Sequence, residues 1–64
     1  MNSKYFLYLL DRQFVTVEQM AKELGIKKDS LYRKLSGTNG FSLRDVKIIL
    51  ATLDMTFEEV FLIE

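Results

Sequence analysis

The residues between Gly25 and Gly37 combine positive charge, hydroxyl groups and an aromatic ring. The stretch reads GIKKDSLYRKLSG and contains four Lys or Arg side chains and one Asp. Lys and Arg can donate hydrogen bonds to phosphates and to the major-groove edge of guanine, and a carboxylate can accept one from cytosine. This mixture of residue types indicates a surface that could bind a nucleic acid.

The composition argues against an enzyme or a metal protein. The chain has no cysteine and no histidine, so thiolate ligands, disulfides and the commonest general base are excluded. The carboxylates fall on predicted exposed helix faces, and no nucleophile is paired with a base. We therefore expect no catalytic activity, no cofactor, no metal and no small-molecule ligand.

Charge is distributed unevenly along a chain whose formal net charge is zero. Residues 27–44 contain five Lys or Arg and one Asp, for a net charge of +4, whereas residues 45–64 contain one Lys and five Asp or Glu, for −4. A zero net charge argues weakly against nucleic acid, and a basic segment favours it. Charge runs on small helices are also typical of solvated faces, so residue spacing has to decide between the two interpretations.

We expect a single domain over residues 1–64, because a chain of 64 residues leaves no room for a second core. The most apolar run, YFLYLL at residues 5–10, is far shorter than the roughly 20 residues that span a bilayer. It also lacks a cleavage site of the signal-peptide type. We therefore expect a cytoplasmic protein.

Hydrophobic periodicity and capping residues predict an all-α protein of five helices. The first covers about residues 3–13 and is apolar almost all round, so we expect burial on more than one side. Thr16 and Gln19 form a capping box for the second helix, which Gly25 ends. The third covers residues 28–36, with Leu31 and Leu35 facing inward.

The last two helices follow a glycine-rich turn at residues 37–40. Ser42 caps the fourth helix, and Thr56 with Glu59 forms a capping box for the fifth. Periodicity predicts two sets of inward-facing residues in this half of the chain. They are Leu43, Val46, Ile49, Leu50 and Leu53 in the fourth helix, and Phe57, Val60 and Phe61 in the fifth. Phe41, which precedes the fourth helix, is also expected in the core.

The second and third helices have the spacing of a helix-turn-helix. Only three residues separate them, and Gly25 tolerates the positive φ that this turn requires. Ala21 is small enough for a close helix approach, Ile26 can pack beneath the turn, and Leu31 can fix the third helix against the second. Four features at fixed offsets are moderately specific for this motif.

The segment TVEQMAKELGIKKDSLYRKLSG resembles the lambda-repressor-like, Cro-type helix-turn-helix of phage and bacterial regulators. The tail FSLRDVKIILATLDMTFEEVF is similar to the fourth and fifth helices of that family, so the resemblance covers about residues 3–61. It implies a third helix that enters the DNA major groove. One departure is Val17, where the family commonly has a Gln that contacts the DNA backbone.

Candidate DNA contacts divide into two groups. The outward and flanking positions of the third helix, which also match the reading positions of the family, predict base contacts from Lys28, Asp29, Tyr32, Arg33 and Ser36. Other polar residues at or near the motif predict phosphate contacts, which set register without reading sequence. These are Thr16, Lys27, Lys34, Thr38, Asn39 and Arg44. Tyr32 could instead lie flat on its own helix, and Asp29 could serve the first turn through the helix dipole.

The predicted partner is double-stranded DNA with a palindromic operator, bound by a Cro-like repressor. A homodimer could form through Phe61, Leu62 and Ile63, or through the first helix at Tyr5 and Tyr8; the alternative for the C-terminal residues is a frayed tail. A second hypothesis belongs to another class: a protein-interaction module, such as an antirepressor that binds a larger repressor. The zero net charge and Val17 favour this alternative, and the basic middle segment favours DNA.

Overall fold

The computed structural model describes residues 3–37 and 40–61, and all regular structure in that part of the chain is helical. The five helices are α1 (Ser3–Arg12), α2 (Val17–Leu24), α3 (Lys28–Leu35), α4 (Leu43–Leu53) and α5 (Phe57–Phe61). The predicted all-α, five-helix class is confirmed. The ends of α1 and α3 differ from prediction by one residue, because Gln13 and Ser36 lie in the turns that follow.

Reciprocal capping bonds fix the starts of α2 and α5. At α2, the Gln19 N–H donates to Thr16 Oγ1 at 3.0 Å and the Thr16 N–H donates to Gln19 Oε1 at 2.8 Å. Thr56 and Glu59 make the same pair of bonds at α5. The bond from the Thr56 backbone N–H, with a further contribution from its side chain, lowers the pKa of the Glu59 carboxyl from its ordinary value. Both predicted capping boxes are therefore present, and each satisfies backbone donors that a helix start leaves open.

The core is formed by all five helices. Phe6, Met20, Leu31, Ile49 and Val60, one from each helix, are at most 1% exposed. Full burial of such a side chain stabilises the fold by about 1.5–3 kcal/mol relative to its exposure. Within the described ranges, none of the helices combines the length and hydropathy needed to cross a bilayer.

Two residues predicted to face inward are exposed. Leu43 is 71% exposed, because the buried side of α4 is centred on Asp45 and Ile49, and a helix places Leu43 roughly 160° from Asp45. Phe57 is 42% exposed and stacks on Phe61 with ring centroids 5.2 Å apart. The prediction that Leu43 and Phe57 belong to the core is therefore wrong.

Helix α1 is buried along one side only. Phe6, Leu9 and Leu10 are buried, whereas Tyr8 is 52% exposed, with the Arg12 guanidinium 6.0 Å from the centre of its ring. The expectation of burial on more than one side is only partly met, since the half-buried Tyr5 and Leu7 flank the buried side. The Tyr5 hydroxyl donates to the Glu59 carbonyl at 3.0 Å and so connects α1 to α5.

Candidate nucleic-acid interface

The turn between α2 and α3 fixes the orientation of α3. Gly25 has φ 72°, and its N–H and that of Ile26 donate to the Lys22 and Ala21 carbonyls, each at 3.0 Å. Ala21 is buried, and Ile26 packs against the core. Every feature that predicted a helix-turn-helix is therefore present, and Leu31 and Leu35 attach α3 to the rest of the domain.

One side of α3 presents polar side chains to solvent. We call this the α3 outer face, formed by the five exposed residues Lys28, Asp29, Tyr32, Arg33 and Ser36. At 100° per residue they fall within an arc of roughly 140°, and an α-helix with its side chains is about as wide as the major groove of B-DNA. The α3 outer face thus has the dimensions and the donors that groove insertion requires.

Local bonds already occupy some groups on the α3 outer face. An Arg33 guanidinium nitrogen donates to Ser30 Oγ at 3.4 Å, which orients the guanidinium along the helix. The Ser36 hydroxyl donates to the Arg33 carbonyl at 2.7 Å. Because that bond uses the hydroxyl proton at the helix end, Ser36 can face a base only as an acceptor or after breaking the bond.

The start of α3 is electropositive. Lys27 occupies the N-cap position without a side-chain capping bond, and Lys27 and Lys28 are both exposed there. Backbone N–H groups and the positive end of the helix dipole add to these two cations. Asp29 lies in the same turn, so a carboxylate and two ammonium groups share the start of α3.

The residues predicted to contact phosphate have different surroundings. Thr16 and Arg44 are exposed at the starts of α2 and α4. Lys34 is half-buried, and its Nζ lies 3.7 Å from Asp45 Oδ2. Thr38 and Asn39 lie outside the described residues.

Asp45 is a residue of this region that the sequence reasoning missed. It contacts both the start of α4 and the end of α3, since it also forms a capping box with Ser42. The sequence contains a signal for the first contact, because Ser42 is followed three positions later by an acidic residue. No local pattern predicts the second contact, which joins residues of two different helices.

The sequence comparisons agree with this geometry. The family model described as the Cro/C1-type HTH DNA-binding domain matches residues 7–64. Searches among curated proteins and among solved structures gave no match. The matched residues include the whole of α2 and α3 and the turn between them, and they make up most of the chain. The protein belongs to the Cro/C1-type helix-turn-helix DNA-binding domain family.

Proposed function

We propose that this chain is a sequence-specific transcriptional regulator that occupies an operator as a single helix-turn-helix domain over residues 1–64. The observation that carries the proposal is the α3 outer face, which exposes cations, a carboxylate and an aromatic ring on a helix fixed by its turn to α2. Insertion of residues 28–36 in the major groove would exclude polymerase or a competing regulator, as a Cro-like repressor does. It would act in the cytoplasm of a bacterium or of a phage-infected host.

The side chains of the α3 outer face have distinct roles in this proposal. Arg33 and Lys28 donate to O6 and N7 of guanine, and Asp29 accepts from N4 of cytosine. Tyr32, which is 43% exposed, contacts a thymine methyl or a phosphate. Ser36 supports the end of the helix and accepts hydrogen bonds from a base edge.

Phosphate contacts would fix the domain on the duplex from both sides of α3. Lys27 and Thr16 approach one strand from the starts of α3 and α2, and Arg44 approaches from the start of α4. Thr38 and Asn39 belong to the same predicted group through their place in the sequence between α3 and α4. These contacts supply affinity and register but no sequence information.

We further propose that two copies bind a palindromic operator. A single small module gives limited contact, and a two-fold dimer places two recognition helices about one turn of DNA apart. The apolar rim formed by Phe41, Leu43, Phe57 and Phe61 lines a shallow groove that also includes Lys34 of α3. Because this groove reaches the C-terminal end of the recognition helix, we propose a second copy of the chain as its occupant. The sequence suggests two other dimer interfaces. One is formed by the C-terminal residues 61–63, of which the structure describes only Phe61, and the other by Tyr5 and Tyr8 of α1.

The second candidate function is that of a protein-interaction module such as an antirepressor. The observation that favours it is the exposed apolar surface, since Leu43 is 71% and Phe14 is 93% exposed. In that case a larger repressor would cover these side chains, and the protein alone would give no specific complex with DNA.

Titration with DNA at several salt concentrations separates the two functions. The affinity of the protein for a duplex selected from a random pool would be measured at salt concentrations from about 50 to 200 mM. A competitor duplex of unrelated sequence serves as the control. Lys27 and Arg44 are the exposed cations that this proposal assigns to phosphates, so log affinity should fall against log salt with a slope of about −2 per bound protomer. Recovery of no preferred sequence, and no specific complex at micromolar protein in low salt, would exclude direct operator binding.

A further inference from the structure

Asp45 is the buried charged residue of the part of the chain that the structure describes, with 8% of its surface exposed. Removing a carboxylate from water is costly unless charges or hydrogen bonds compensate it. Asp45 lies in the first turn of α4, immediately after the segment with a net charge of +4. Its environment therefore bears directly on the charge that this segment offers to DNA.

Two kinds of partner compensate the Asp45 carboxylate. Oδ2 accepts a hydrogen bond from the Ser42 N–H at 3.3 Å, while the Asp45 N–H donates to Ser42 Oγ at 3.2 Å. The same Oδ2 lies 3.7 Å from Lys34 Nζ. One carboxylate oxygen thus faces both the start of α4 and the last turn of α3.

Lys34 differs from the other cations of the basic segment. Its side chain is 26% exposed, whereas Lys27, Lys28 and Arg33 are all exposed. On α3 it lies roughly 160° around the axis from Tyr32, on the side that faces α4. The Asp45 carboxylate attracts the ammonium group of this flexible side chain toward α4 and away from phosphates that flank the α3 outer face.

We propose that Asp45 is a positioning residue of the DNA interface, which retains Lys34 as a bridge between α3 and α4 and removes it from the phosphate contacts. The inference rests on the proposed operator binding and replaces the predicted phosphate role of Lys34. The bridge joins the last turn of α3 to the first turn of α4, so it fixes the end of the recognition helix against the start of α4. It also lowers the charge available for contacts that do not depend on sequence.

The first test compares two lysines with the same substitution. In Lys27→Gln, loss of an exposed phosphate contact should make the slope of log affinity against log salt shallower by about 0.9. In Lys34→Gln, the slope should equal that of the wild type. Circular dichroism and thermal unfolding of both variants establish that each is folded under the conditions of the titration.

The second test releases Lys34 without changing its identity. Asparagine retains an oxygen that can accept from the Ser42 N–H, so Asp45→Asn removes the charge and preserves the capping geometry. Lys34 should then reach the duplex, making the slope steeper by about 0.9 and reducing the ratio of specific to non-specific affinity. Asp45→Asn combined with Lys34→Gln should restore the wild-type slope, and Glu58→Gln, which removes an exposed acid from α5, should leave it unchanged.

The outcomes distinguish this inference from the proposed function. If the wild type binds DNA and Lys34→Gln makes the slope shallower by as much as Lys27→Gln, Lys34 contacts phosphate and the inference is wrong while operator binding stands. An unchanged slope in Asp45→Asn, or an equal steepening in Glu58→Gln, would also overturn it. If the wild type binds no DNA at all, the proposed function is wrong, and the inference that rests on it is wrong as well.

Discussion

The polar groups of α3 differ in how much of their hydrogen-bonding capacity remains for a ligand. A guanidinium has five N–H donors in a planar fork, and the bond from Arg33 to Ser30 uses one of them at 3.4 Å. The Ser36 hydroxyl, by contrast, already donates to the Arg33 carbonyl. Among these residues Arg33 is therefore the best suited to bidentate contact with guanine.

We predict that Arg33→Ala lowers specific affinity by about 1–3 kcal/mol and relaxes the base preference at one operator position. Arg33→Lys should retain much of the non-specific affinity but still lose discrimination, because an ammonium cannot form the planar two-bond contact. Binding to single-base variants of the selected duplex measures both effects. Lys4→Ala removes an exposed cation from α1 and serves as the control; an equal loss in that variant would mean that overall charge, not base contact, explains the result.

At the level of helices, the sequence predicts those helix ends that have a typical capping residue. Gly25 identifies the end of α2, and Ser42 identifies the start of α4. The end of α1 has no such marker, because the left-handed position is occupied by Phe14, with φ 58°. The Val15 N–H donates to the Leu10 carbonyl at 2.9 Å and Val15 packs on the core. Tertiary contact of this kind, which a single sequence does not display, accompanies the reversal of the chain at Phe14.

In the candidate interface, too, the sequence predicts features that depend on local pattern and misses those that depend on tertiary contact. The α3 outer face was predictable because Leu31 and Leu35 alone define an inward side, which leaves the polar residues to solvent. The ion pair between Lys34 and Asp45 was not predictable, since it depends on how α4 is placed relative to α3. Leu43 illustrates the reverse error, in which an apolar residue at the helix start fits the periodic pattern but lies outside the buried side.

Phe14 offers a direct measurement of the backbone cost at the end of α1. A non-glycine residue in the left-handed region costs about 1–2 kcal/mol, and this side chain, 93% exposed, regains little through packing. We predict that Phe14→Gly raises the free energy of unfolding by about 0.5–1 kcal/mol, which corresponds to several degrees in Tm for a small domain.

The matched control for Phe14 is Gly25→Ala at the end of α2. Gly25 has a similar φ of 72°, and an added Cβ would meet no atom within 4 Å, so any loss reflects the backbone alone. Chemical denaturation should show Gly25→Ala destabilised by about 1 kcal/mol and Phe14→Gly stabilised. If Phe14→Gly is instead destabilised, the phenylalanine ring makes contacts in solution that outweigh the strain.

On the scale of the whole molecule, opposite charges are segregated although the total is zero. Five of the nine basic residues lie in residues 27–44, at α3 and the start of α4. In contrast, Asp54, Glu58 and Glu59 are exposed at the end of α4 and in α5. A DNA duplex approached by the α3 outer face therefore experiences a local positive field, and the acidic residues of α5 discourage other orientations. The apolar rim lies between these regions, since its groove includes Lys34 of α3 and Phe57 and Phe61 of α5.

This arrangement makes the apolar rim the place to test assembly. We predict that Leu43→Glu shifts the protein toward monomer in sedimentation velocity and weakens binding to a palindromic duplex by at least tenfold, because each copy would bury a carboxylate against the rim of the other. Binding to a duplex with one half-site should change little.

The control is Phe14→Gly, which removes an exposed apolar side chain from another part of the surface. It should leave both the oligomeric state and the binding to the palindromic duplex unchanged. If the wild type sediments as a monomer and binds the palindrome without cooperativity, the dimer is not part of the mechanism. If a dimer persists in Leu43→Glu, its interface lies elsewhere, and substitution of Tyr8 on α1 becomes the deciding experiment.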